Sequence, residues 1–144
     1  MKTAILVVLA GVLVAGAWTW GASSSHHATA QTRIDTRIEA AALKIARELG
    51  DRSPTRIAWV AGRHVPAERV ASGDLVDSNP PVYLVALRGR FVDRMAPIPP
   101  GGQPPRGTVL TLTFTRADLR VLDLGLAHRW PDLARLGPVH VLDP

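Results

Sequence analysis

The chain contains 144 residues, none of them cysteine, and carries a formal net charge of +5 at pH 7. This length gives room for one domain with one modest core and excludes two, while the lack of cysteine excludes disulfide bonds and a cysteine-linked lipid anchor. Only two of the 17 basic residues, Lys2 and Lys44, are lysines, so arginine sets the high isoelectric point. Arginine richness is compatible with polyanion binding, but a GC-rich genome also encodes arginine and alanine by default, and we favour this simpler explanation.

Residues 1–22 form the first distinct segment, in which Lys2 is followed by a long run of apolar and small residues. A signal peptide needs an apolar core of roughly 7 to 15 residues and a small-x-small cleavage site, whereas a spanning helix needs about 20 apolar residues. Suitable cleavage sites end at Ala17 and at Ala30. The sequence therefore predicts either a signal peptide or a signal anchor in residues 1–22.

Two observations favour the uncleaved anchor and set its direction. Trp18 and Trp20 lie where an aromatic belt at the outer interface would hold a membrane helix. Lys2 is the only charged residue before Arg33, so the positive-inside rule places the N-terminus in the cytoplasm. We expect a single-pass protein of the cell membrane with its C-terminal domain outside the cytoplasm, and a secreted domain as the alternative.

A flexible linker is expected at residues 23–31, and the first folded element is predicted as a helix from about Thr32 to Leu49. Gly50 follows it, at the position where helices commonly end in a left-handed residue. Apolar residues recur every three to four positions along the segment. They are Ile34, Ile38, Ala42, Ile45 and Leu49. This pattern indicates an amphipathic helix with one face on a core.

Beyond the helix the hydrophobic period changes to two, which is typical of strands. A strand is predicted around residues 57–61, followed by a polar connector at 63–81 in which 66–71 form one or two helical turns. The next strand, at 82–92, is apolar on both faces in its middle and is therefore expected at the centre of a sheet. Gly89 within it indicates a bulge or a bend.

The remaining sequence predicts a β-hairpin and a tail. A loop at residues 95–107, rich in proline and glycine, precedes a strand at 108–115 and a partner strand at 119–126. Three leucines of the partner strand are expected to share a face: Leu122, Leu124 and Leu126. Residues 127–144 are expected to form a C-terminal tail.

Together these elements predict the α+β class, with one N-terminal amphipathic helix packed on a three- to four-stranded antiparallel sheet that ends in the hairpin. A second layer is required because such a sheet buries one face only when another element covers it. The predicted arrangement therefore has two layers, and the predicted domain spans residues 32–126.

The order of elements resembles that of the PepSY-like domains of bacterial envelope and secreted proteins. The likeness is carried by AAALKIA at 40–46 in the helix, PVYLV at 81–85 in the central strand and DLRVL at 118–122 at the final turn. The family usually has Thr-Gly in the last hairpin, where this chain has Asp118-Leu119. The resemblance covers about residues 32–126 and implies a non-catalytic binding or regulatory module, peptidases as partners, and no transferable active site.

No catalytic, cofactor-binding or metal-ligating residues are predicted. There is no Gly-x-Ser-x-Gly motif, and Ser72 lies in a segment that a turn explains better. His64, His128 and His140 are isolated in the sequence, whereas a zinc site needs three or four convergent ligands. Turns and solvation explain the carboxylates, including Asp123, and no glycine-rich phosphate loop follows a strand.

Four arginines are the candidate contacts for a polyanion or a partner protein. Arg88, Arg90 and Arg94 crowd the end of the central strand, and Arg106 lies across the proline-rich loop. Together they would form a basic edge for teichoic acid, anionic lipid or an acidic peptide. A solvated strand face explains the same residues, and we favour that interpretation.

The sequence therefore predicts a non-catalytic extracytoplasmic binding or regulatory module of the cell envelope, whose partner is an envelope protein or polyanion and not nucleic acid. The alternatives are a hydrolase or transferase with an unrecognised active site, and an envelope polyanion-binding protein. An enzyme should bring several of five side chains into one pocket: His64, His128, Asp93, Asp123 and Ser72. A polyanion-binding protein should gather the four arginines into one patch and lose affinity as the salt concentration rises.

Overall fold

The computed structural model describes residues 23–142, with side chains from residue 28 onward, so the leader predicted at residues 1–22 lies outside the described residues. Within this range, no helix combines the length and the apolar character needed to cross a membrane. The described chain forms α1 (Ser23–Glu48), β1 (Arg56–Arg63), α2 (His64–Ala71), β2 (Pro81–Val92), β3 (Arg106–Thr115), β4 (Val121–Ala127), a 3-10 turn η1 (Leu133–Arg135) and β5 (His140–Leu142).

The strands form one antiparallel sheet in the order β4-β3-β2-β1-β5. This confirms the α+β class and the hairpin, which is formed by β3 and β4. The sheet has five strands where three or four were predicted, since β5 lies in the segment 127–144 and pairs with β1, where His140 is opposite Trp59. At the other end of the domain, α1 begins at Ser23, inside the segment 23–31 that was predicted as a linker.

The helix α1 covers one face of the sheet, as its periodicity predicts. Its end forms a Schellman motif: the Gly50 N–H donates to the Arg47 carbonyl at 3.1 Å, and the Asp51 N–H donates to the Ala46 carbonyl at 2.9 Å. Gly50 has the left-handed φ of +93° that this motif requires. The core on this face, the α1-side core, contains Ile38, Ala42, Ala46, Ile57, Trp59, Tyr83, Val85, Leu87, Phe91, Leu110, Leu112 and Phe114.

The opposite face of the sheet is covered by α2 and η1. Ala67 of α2 and Leu133 of η1 are buried there against small and branched side chains of β1 and β2. These strand residues are Ala58, Val60, Val82, Leu84 and Ala86. Because β1 and β2 are apolar on both faces, the structure adds a third layer to the two that were expected.

A bulge interrupts β2 near its end. The register with β3 shifts between Arg88 and Phe91, which confirms the irregularity predicted at Gly89. The Asp51 carboxylate reaches into this bulge, where its Oδ2 accepts a hydrogen bond from the Arg90 N–H at 2.6 Å. It leaves no room for a side chain at Gly89.

A second register shift lies between β3 and β4, at Thr113 and Phe114. Beside it, Leu122 packs against the core under α2, whereas Leu126 packs against the α1-side core. The prediction that the leucines of β4 share one face was therefore wrong, because an extra residue in one strand reverses the alternation of its side chains.

The turn between β3 and β4 is held by polar contacts. The Thr115 hydroxyl donates to the Asp118 carboxylate, and the Arg120 N–H donates to the same carboxylate at 3.3 Å. These hydrogen bonds, chiefly the one from Thr115, lower the pKa of Asp118. Leu119 adopts a left-handed φ of +56°, a conformation that usually belongs to glycine.

Candidate functional sites

The four arginines predicted as contact residues separate into different environments. The guanidinium of Arg88 lies over the ring of Trp130. Arg90 and Arg106, together with His128, line an open cavity with a volume of about 310 Å³. Arg94 is exposed in the loop after β2 and takes part in neither arrangement. The structure thus does not gather the four arginines into the single patch expected of a polyanion-binding protein: it joins Arg90 and Arg106 in one cavity and places Arg88 over Trp130.

Arg88 also has a neighbour that the sequence did not single out, Arg56. Arg56 on β1 and Arg88 on β2 are directly opposite each other. The guanidinium carbon of Arg56 lies 4.8 Å from the centroid of the Trp130 ring and that of Arg88 lies 5.4 Å from it, both within the range of cation–π contacts. We call Arg56, Arg88 and Trp130 the arginine–tryptophan clamp.

Among the residues whose side chains are described, 28–142, no acidic side chain pairs with the arginines of the clamp. In residues 28–142 the only pairings of a basic with an acidic side chain within 4.0 Å are those of His64 with Glu68 and with Asp123. Every described arginine therefore lacks a carboxylate at that distance. Because like charges directly opposite each other on a sheet are destabilising, the pair Arg56 and Arg88 offers a place where an anion is electrostatically favoured.

A second polar cluster lies under α2, on the face of the sheet opposite α1. His64 and Glu68 are one helical turn apart and are 5% and 3% exposed. Asp123 reaches them from β4, with its Oδ2 2.7 Å from His64 Nε2. His64 Nε2 also lies 3.8 Å from Glu68 Oε1. We call these three residues the histidine–carboxylate cluster.

Further polar groups surround this cluster. The Thr113 hydroxyl donates to Glu68 Oε1 at 2.6 Å, and the Ser72 hydroxyl donates to Glu68 Oε2 at 3.1 Å. Beside the cluster is a cavity of about 60 Å³ whose lining includes Glu68, Ser72, Thr113 and Asp123. Several buried or half-buried oxygen atoms therefore converge on one small space.

The structure corrects the expectation that His64 is isolated. The sequence does signal Glu68, whose spacing of four residues from His64 places both side chains on one face of a helix. The sequence around Asp123 does not indicate that its side chain contacts His64, because this contact depends on the pairing of Asp123 with Thr113 between β4 and β3.

Three of the five side chains expected to converge in an enzyme, His64, Asp123 and Ser72, are indeed neighbours. However, the Ser72 hydroxyl bonds to Glu68 and not to a histidine. The pairing of serine with histidine that activates a serine nucleophile is thus missing among the described contacts. Asp93 and His128 lie elsewhere, Asp93 accepting hydrogen bonds from backbone N–H groups of its own loop.

Comparison of the chain with family models, with curated proteins and with solved structures gave no match. The functional argument therefore rests on the geometry of the arginine–tryptophan clamp and of the histidine–carboxylate cluster.

Proposed function

We propose that this protein is a non-catalytic binding module of the cell envelope, tethered or secreted, that recognises a polyanion through the arginine–tryptophan clamp. The observation that carries the proposal is the cross-strand pair of arginines, Arg56 and Arg88, on one tryptophan ring, with no acidic partner within 4.0 Å among residues 28–142. The leader predicted at residues 1–22 supports the envelope location, and the resemblance to PepSY-like domains agrees with a binding role.

The clamp suits an oxyanion with two or more acceptor oxygens. A guanidinium presents its donors in a planar fork that matches carboxylate and phosphate groups. Stacking on Trp130 reduces the freedom of Arg56 and Arg88 before the ligand arrives, so less side-chain entropy is lost on binding. A phosphate diester or carboxylate of the ligand would lie between the two guanidinium groups and relieve their mutual repulsion.

A neighbouring concave surface extends the site for a repeating anion. Arg90, Arg106 and His128 line it at the same end of β2 and β3. A ligand with charges at regular intervals can contact both places, and the second contact is then intramolecular. This favours a polymer over a single small anion.

The test measures binding of short-chain polyphosphate to the full-length protein by fluorescence anisotropy. Replacing Arg56 or Arg88 by glutamine should weaken binding by about tenfold or more, the loss expected when a hydrogen bond to a charged group is removed. Arg33→Gln is the matched control, since it removes the same charge from exposed α1 and should change affinity far less. Trp130→Leu keeps the net charge and should also weaken binding.

Two results would contradict the proposal. Equal losses in Arg33→Gln and Arg88→Gln would show that net charge, and not the clamp, drives association. Affinity that does not fall as salt is raised would exclude an electrostatic site, since exposed charges are screened over about 8 Å at physiological ionic strength.

A further inference from the structure

The histidine–carboxylate cluster brings one ring nitrogen and two carboxylates to a single point. His64 and Glu68 come from α2 and Asp123 comes from β4, and one donor atom from each lies within 4.8 Å of the others. The distances from His64 Nε2 are 2.7 Å to Asp123 Oδ2 and 3.8 Å to Glu68 Oε1. Two of the three side chains are almost completely buried.

Both ring nitrogens of His64 face hydrogen-bond acceptors. Nδ1 lies 3.1 Å from the carbonyl oxygen of Ser78, and Nε2 lies 2.7 Å from Asp123 Oδ2. A neutral imidazole has one N–H and can donate to only one of these two acceptors. Either a second proton or a cation at Nε2 resolves this conflict. An imidazole that donates Nδ1–H to a backbone carbonyl while Nε2 binds a metal ion is a common arrangement in metal sites.

The charge of the cluster favours the cation over the second proton. No described arginine or lysine lies within 4.0 Å of Glu68 or Asp123, so His64 is their only cationic neighbour. With His64 protonated and both carboxylates ionised, one negative charge remains uncompensated beside the buried Glu68. With His64 neutral, one divalent cation makes the whole cluster neutral. Because burial disfavours an uncompensated charge next to Glu68, the divalent cation is the better complement.

The donor set identifies the class of metal. Magnesium and calcium prefer oxygen ligands alone, whereas a histidine with two carboxylates suits Zn²⁺ and related transition metals. Bond lengths of about 2.0–2.1 Å place the ligands of tetrahedral Zn²⁺ about 3.3 Å apart. The observed 2.7 Å and 3.8 Å lie on either side of this value. The Asp123 side chain is 44% exposed and can adjust more easily than the two buried ligands.

The adjacent cavity supplies room for a fourth ligand. Its volume of about 60 Å³ accommodates a water molecule, and hydroxyl and carboxylate groups line it. Thr113 and Ser72 hold the Glu68 carboxylate by hydrogen bonds, as neighbours of metal ligands commonly do.

We infer that His64, Glu68 and Asp123 bind one divalent transition-metal ion of the zinc type, with water in the remaining position. The ion fastens α2 to β4 across the face of the sheet that the α1 helix does not cover. This site is separate from the arginine–tryptophan clamp, and neither Arg56 nor Arg88 contributes to it.

The experiment titrates Zn²⁺ into tag-free full-length protein, freed of metal by a chelator, and follows binding by isothermal titration calorimetry. We expect one ion per chain and a melting temperature that rises with Zn²⁺ concentration. Asp123→Asn and Glu68→Gln retain the shapes of the ligands but remove their charge, and each should weaken binding at least tenfold. Replacing Zn²⁺ with Co²⁺ should give the visible absorption of a four-coordinate nitrogen–oxygen site.

His128→Ala is the matched control, because it removes an exposed imidazole outside the cluster and should bind Zn²⁺ as the parent does. Arg88→Gln should likewise leave Zn²⁺ binding unchanged, which separates this site from the polyanion site. The inference is overturned if the folded parent protein binds no Zn²⁺, or if the folded Asp123→Asn variant binds it with unchanged affinity. If Glu68→Gln fails to fold, Asp123→Asn still tests the inference, because the Asp123 side chain is half-exposed and its replacement should not prevent folding.

Discussion

Replacing Gly89 by alanine tests how the bulge in β2 is built. A Cβ atom at this position would lie 2.2 Å from Asp51 Oδ2 and 2.8 Å from Phe91 Cζ. Both distances are shorter than van der Waals contact, so the Asp51 carboxylate and the Phe91 ring must move. The bulge also sets the direction of Arg88 and Arg90, which flank Gly89.

The expected cost follows from these two contacts. Moving the carboxylate removes its hydrogen bond with the Arg90 N–H, and a hydrogen bond to a charged group contributes about 1.5–3 kcal/mol. Crowding the buried Phe91 adds about 1–3 kcal/mol, the usual cost of overpacking. We expect Gly89→Ala to lower the free energy of unfolding by about 2.5–6 kcal/mol, a large fraction of the 5–15 kcal/mol typical of a domain.

The assay is urea unfolding followed by circular dichroism. Gly62→Ala is the matched control, because Gly62 also lies in a strand and a Cβ there would meet nothing closer than 4.0 Å, at Leu136. It should cost nothing or stabilise the protein by about 0.4–1 kcal/mol. In an Asp51→Ala background the carboxylate is gone, so Gly89→Ala should cost only the contact with Phe91. Additive costs in this double-mutant cycle would refute the argument.

Three further predictions concern local contacts. Because Leu119 has a left-handed φ, Leu119→Gly should be about 1 kcal/mol more stable than Leu119→Ala in urea unfolding; the reverse order would exclude strain. The Trp59 indole N–H donates to Asp35 Oδ1 at 3.0 Å, so Trp59→Phe should lose about 1.5–3 kcal/mol in the same assay, and a loss below about 0.5 kcal/mol would contradict this role. Thr115→Val should raise the pKa of Asp118 towards its usual value, observed by NMR titration of its carboxyl carbon, and an unchanged pKa would reject the assignment. Since the native pKa of Asp118 is lowered from 3.8, its contribution to stability is present above that pH and disappears as the pH falls through the lowered value.

The elements that depend on local chemistry could be predicted from the sequence. The 3.6-residue period of α1 and the glycine at its end sufficed for the helix. Alternation in β3, with Leu110, Leu112 and Phe114 in the α1-side core, sufficed for one strand of the hairpin. Gly89 indicated the bulge because glycine within a strand often marks a bulge or a bend.

Other features arise only when distant segments meet. The short strand β5 has too few residues for a periodic signal, and it forms because the edge of β1 is available for pairing. The face of Leu122 depends on a register shift that neither strand encodes by itself. Because β2 is apolar on both faces, the sequence indicated that something covers the second face of the sheet. It did not indicate that α2 and η1 form this cover.

The candidate sites show the same division most clearly. The sequence by itself determined the supply of arginines, the lack of cysteine and the presence of His64 and Glu68 at a spacing of one helical turn. Only the tertiary structure decided that Arg88 lies opposite Arg56, and that Asp123 reaches a histidine 59 positions earlier in the chain. Sequence periodicity reports which face of an element is apolar, whereas the meeting of polar side chains from different elements is set by strand register and layer packing, which are properties of the whole fold.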